Sequence, residues 1–161
     1  MRTYINYCGK SNSGKTTVLF KVIEKLKMNY PNDIFREKKA KSKKRIVDER
    51  IVFFIHKQYV VISTYGDTLA DLLENHRWFD QYGPKVMVTA SHAHESHDHN
   101  LFIDNYVYNK ITADNEPDKY REHFNYCKIQ SVPCSDEKEQ KRIDDIHADY
   151  IYNLILESLK I

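Results

Sequence analysis

The chain has 161 residues, enough for one domain with a real core. Lys and Arg total 25 against 23 Asp and Glu, so bulk charge alone singles out no class of partner. Cys8, Cys127 and Cys134 form no C-x-x-C pair, no apolar run is long enough to span a bilayer, and nothing resembles a signal peptide. The expectation is a cytoplasmic protein with reduced cysteines and no membrane partner, its oligomeric state open.

In chain order, Thr3 to Cys8 reads as a buried strand. Thr16 to Met28 reads as a helix, with Val18, Leu19, Val22, Ile23 and Leu26 on one face. Between them lies Gly9-Lys10-Ser11-Asn12-Ser13-Gly14-Lys15-Thr16-Thr17, which fits G-x-x-x-x-G-K-[ST]. The chemistry explains the spacing. Two glycines allow backbone conformations that a side chain would block, so main-chain N–H groups can curl around a phosphate. The helix then points its unpaired N–H groups and positive dipole end at the same anion.

By these residues the chain resembles the P-loop (Walker A) NTPases, over residues 3–28. The resemblance implies an α/β, three-layer P-loop NTPase fold with a mostly parallel sheet. About five strands and one antiparallel hairpin are expected, within a single domain spanning 1–161. It also implies binding of ATP or GTP with Mg²⁺ by residues 9 to 17. Lys15 would reach the β- and γ-phosphates and neutralise developing charge, and Thr16 would take one position on the metal.

Tyr30-Pro31-Asn32-Asp33 stops the first helix. Residues 36–45 then hold seven basic side chains and one acid, within a segment (36–49) expected to be basic and mobile. Three readings stand: a solvated loop, a lid over nucleotide phosphates, or a patch for an anionic substrate or nucleic acid. Ile51 to Ile55 and Tyr59 to Ser63 read as two strands whose short connection forces an antiparallel hairpin.

The second of these strands runs towards Asp67, the best candidate for a carboxylate that holds Mg²⁺ with Thr16. The competing reading makes Thr68 a helix N-cap with Asp71 completing a capping box, and Asp67 a partner of that positive end. The helix from Thr68 to Asp80 should bury Leu69, Leu72, Leu73, His76 and Phe79, and Lys85 to Ala90 should be a short buried strand.

His92, His94, His97 and His99 follow, beside Glu95 and Asp98. Part of this stretch is similar to the metallo-β-lactamase H-x-H-x-D-H motif, but Ser96 stands in place of its Asp and that family is rejected. Zinc at His92–His99 is the weaker reading, because no distant Cys or His motif completes the ligand set. The reading retained puts His92 or His94 near the nucleotide, as a γ-phosphate contact or proton carrier. Ser63-Thr64-Tyr65-Gly66 and Asn109-Lys110-Ile111-Thr112 each resemble a GTPase motif with its acid missing. A last strand is expected at 127–132. A final helix capped by Ser135 or Asp136 should bury Ile143, Ile146, Tyr150, Ile151, Leu154, Ile155 and Leu159.

The candidate catalytic residues are therefore Lys15, Asp67 and His92, and the metal residues Thr16 and Asp67. The expected activity is Mg²⁺-dependent ATP hydrolysis. The alternatives are a small-molecule or nucleotide kinase that uses 36–45 for an anionic acceptor, and a GTPase-like nucleotide switch.

Overall fold

The first strand, β1 (Thr3–Gly9), is buried along its whole length, with Tyr4 and Asn6 facing one side and Ile5 and Tyr7 the other. In this computed structural model, residues 2–9, 14–43, 45–92 and 125–160 are described. The remaining elements are α1 (Lys15–Asn29), β2 (Ile34–Ser42), β3 (Arg45–Ile55), β4 (Gln58–Ser63), α2 (Leu69–Tyr82), β5 (Val86–His92), β6 (Asn125–Gln130) and α3 (Glu137–Leu159).

The strands form one sheet in the order β2-β3-β4-β5-β1-β6. The β2–β3 and β3–β4 pairs are antiparallel; β4–β5, β5–β1 and β1–β6 are parallel. This corrects the expected fold class. In place of a P-loop sheet of about five mostly parallel strands with one hairpin, six strands form a mixed sheet, and β2, β3 and β4 make a continuous antiparallel block. The sheet therefore does not carry the resemblance that the residues around Gly9 to Thr17 suggest.

The difference arises in the lysine-rich run, expected as a mobile segment, which forms β2 and leads into β3. Alternation along a strand sends neighbouring side chains to opposite faces and so separates like charges. Glu37 and Lys39 turn towards α1, where Lys27 binds both Glu37 (2.6 Å) and Glu49 of β3 (2.7 Å). Arg36 turns the other way and stacks over Trp78 of α2, 4.2 Å from its ring centre. Partners distant in sequence thus hold a run that looks self-repelling when read alone.

One face of the sheet packs Ile5, Tyr7, Phe53, Ile62 and Val88 against α1 and α3. The other packs Tyr4, Val52, Val61 and Met87 against Leu72, Trp78 and Phe79 of α2. Two buried stripes differ from expectation. Leu69 and Leu73 are 47% and 43% exposed, while Asn75 and Trp78 turn inward on α2. On α3 the stripe is Asp144, Ala148, Ile151, Ile155 and Leu159, leaving Ile146 and Tyr150 half exposed. The helices α1 and α3 are joined on their outer rims by Lys21–Asp145 (2.5 Å) and Lys25–Asp149. Among the described residues, no helix is long and apolar enough to cross a membrane.

Candidate phosphate-binding site

Because β1, β4, β5 and β6 run in one direction, their C-terminal ends share one edge of the sheet. The chain leaves β1 at Gly9 and enters α1 through Gly14, whose φ of +83° is left-handed and suits glycine. Among the described residues no side chain caps α1, and no acid lies in its first turn.

Lys15 begins the helix but is only 6% exposed. Its Nζ reaches back to donate to the Gly9 carbonyl at 3.0 Å. This bond ties the start of α1 to the end of β1. Thr16 is half-buried and Thr17 exposed, both in the first turn of α1. Lys10, Ser11, Asn12 and Ser13 lie outside the described residues.

The surroundings of the turn include residues that the sequence did not single out. The Ser131 N–H, just after β6, donates to the Cys8 carbonyl at 2.8 Å. On α3, Asp144 is 6% exposed and accepts a hydrogen bond from Gln140 Nε2 (2.8 Å). A Cβ added at Gly14 would lie 3.5 Å from its Oδ1. The Tyr7 hydroxyl shares a hydrogen bond with His147 Nδ1 (2.8 Å); burial, aided by Asp144 and Cys8, pushes its pKa up. One signal was available for Asp144: a lone acid at an i, i+4 position of a buried helix stripe rarely goes unpartnered.

His92 ends β5 directly opposite Gly9 in the parallel register, so its backbone stands one strand spacing, about 4.8 Å, from the start of the turn. The rest of the histidine cluster lies outside the described residues, as do 109–112. Asp67 is exposed and follows Gly66, which is pressed so tightly against β5 that a Cβ there would meet the Ala90 carbonyl oxygen at 2.0 Å. Asp67 is therefore carried to the same edge, with β5 between it and β1.

The capping box is present. The Asp71 N–H donates to Thr68 Oγ1 (3.1 Å) and the Thr68 N–H to Asp71 Oδ2 (3.2 Å). Asp48, also unforeseen, accepts from the Thr64 hydroxyl at 2.8 Å; burial first, then Asp67 and Asp71, raises its pKa.

No three His, Cys, Asp or Glu among the described residues converge to hold a metal. Thr16 and Asp67 alone would suit only an ion that takes its other ligands from phosphate and water, as Mg²⁺ commonly does. At the opposite edge, a cleft of about 320 Å³ lined by Thr3, Lys85, Asn125 and Lys160 contains none of these residues. The chain matches no protein-family model, no curated protein and no solved structure.

Proposed function

We propose that the turn between β1 and α1 binds a nucleoside triphosphate with Mg²⁺, and that the protein is an ATPase. The observation that carries this reading is the Lys15–Gly9 bond across a turn that ends in left-handed Gly14. It supports an ammonium drawn back beside the end of β1, ahead of a helix start that no described side chain caps. In this reading Lys15 neutralises charge on the β- and γ-phosphates. Thr16 holds Mg²⁺, with Asp67 acting directly or through water, and His92 serves as a γ-phosphate contact or proton carrier.

A second reading, phosphoryl transfer to an anionic acceptor, draws support from the β2–β3 hairpin. Its tip, with Lys41, Lys43 and Arg45, overhangs the edge to which β1 delivers the turn. Four strand gaps put β2 about 19 Å from β1. A small acceptor bound at the tip would need the hairpin to move, whereas an extended one would not.

Thermal shift with ATP and GTP, with and without Mg²⁺, tests the binding. A triphosphate at about 100 times its dissociation constant should add about 2.7 kcal/mol to stability, and Lys15→Ala should abolish that gain while keeping the unliganded fold. Equal stabilisation of the variant would remove the site assignment. Repeated phosphate release then separates an enzyme from a nucleotide switch, which would bind and turn over slowly.

A further inference from the structure

We infer that the α2-side surface of β2 and β3 is a binding platform for single-stranded nucleic acid. The surface is separate from the triphosphate turn, and the argument uses none of that site's residues. It begins with the single acid of the 36–45 run. Glu37 faces α1, where Lys27 and Lys39 bind its carboxylate. The α2 side of β2 is left with Arg36 and Lys38, both exposed and paired across to Val52 and Arg50 of β3. Lys43 and Arg45 add exposed positive charge at the hairpin tip, while Lys41 alternates to the α1 side. The one β3 acid on this side, Asp48, stands opposite Ala40 and accepts from Thr64.

Charge alone would suit any polyanion, and lysines on an edge strand also discourage sheet-to-sheet aggregation. Aromatic rings make the choice between these. Phe35 is 56% exposed and Phe54 39%, and both rest against Tyr59, at 5.4 and 4.7 Å between ring centres. Tyr82 closes the group, 5.9 Å from Phe35. Arg36 sits over Trp78 and donates to the Tyr82 hydroxyl at 2.8 Å, so its guanidinium is held among the rings.

Exposed rings beside a line of cations suit unpaired bases, whose faces are free to stack while their phosphates meet the cations. A duplex hides those faces. Backbone phosphates of an extended strand would lie along Arg36, Lys38 and the tip, with bases over Phe35 and Phe54.

The test is fluorescence anisotropy with a short labelled oligothymidylate, the same length of duplex DNA, and heparin as a bare polyanion competitor. The single strand should bind more tightly than the duplex. Phe35→Ala should weaken it roughly tenfold without changing the salt dependence. Lys38→Gln should instead flatten the slope of log affinity against log salt by about 0.7. Phe35→Trp, which keeps a stacking face, should retain binding and guards against a folding artefact in the alanine variant.

Equal affinity for the duplex, binding indifferent to Phe35→Ala, or no binding at all would each overturn the platform. Lys15→Ala should leave oligonucleotide affinity unchanged, and Phe35→Ala should leave triphosphate stabilisation unchanged. Either site can thus fail without the other.

Discussion

Lys15 shows how much one side chain can organise. A lysine at a helix start normally extends into water, because hydration of its ammonium is worth more than a single carbonyl contact. Here it folds inward, to 6% exposure, and bonds Gly9. Asp67 carries the sharper choice. If it serves Mg²⁺, Asp67→Asn should reduce Mg²⁺-dependent stabilisation by triphosphate and leave the unliganded melting temperature close to that of the parent. Thr68→Ala should do the reverse. Losing the cap costs about 1 kcal/mol, or about 2–4 °C in a domain of this size, with the Mg²⁺ response intact. A fall in unliganded stability alone for Asp67→Asn would leave that residue a helix-end partner.

At the scale of elements, the junction of α1 with the β2–β3 hairpin is held by three titratable groups, Lys27, Glu37 and Glu49. The hydrogen bond from Glu49, with Lys27 and Lys39, draws Glu37 down to about 2 against its burial. Burial, then the bond to Glu37, pushes Glu49 up against the pull of Lys27. Burial opposes the Lys27 ammonium, but the two carboxylates outweigh it and raise its pKa. The two acids act in opposite senses. The stability that Glu37 contributes is present above the ordinary glutamate range and is lost as pH falls towards about 2. Glu49 favours the protonated form, so its contribution is present below that range and is lost as pH rises through its elevated folded value. Glu49→Gln keeps a donor for Glu37 without the titration, and melting temperature against pH should lose its decline on that rising side. An unchanged profile would mean that Glu49 does not carry the proton.

For the molecule as a whole, the parts legible in the sequence were those whose signals are local. Strand β1, helix α1 and the left-handed Gly14 before it follow from neighbouring residues, as does the Thr68–Asp71 box. The sheet was misjudged because its deciding partners are distant. Nothing near Lys38 or Lys39 in the chain announces Glu49 opposite or Trp78 beneath Arg36. The α3 face was rotated for a related reason: Ile146 and Tyr150 look apolar, yet the stripe that meets α1 and the sheet passes through Asp144 and Ala148. Of the candidate site, residue types were readable but the neighbours Asp144, Ser131 and Asp48 were not, since only folding brings them in. Native-state hydrogen exchange should reflect the same order. Amides of β3, β4, β5 and β1, each with strands on both sides, should exchange slowest, and those of β2, an edge among the described strands, much faster. Equal protection across the sheet would contradict the register.

Gly66 has a mechanical consequence. With its α-carbon seated against the Ala90 carbonyl, the stretch ahead of α2 has no slack relative to β5. β5 in turn is laced to β1 up to the pair His92 and Gly9. A side chain at position 66 would therefore push the stretch carrying Asp67 away from the strand that pairs with Gly9.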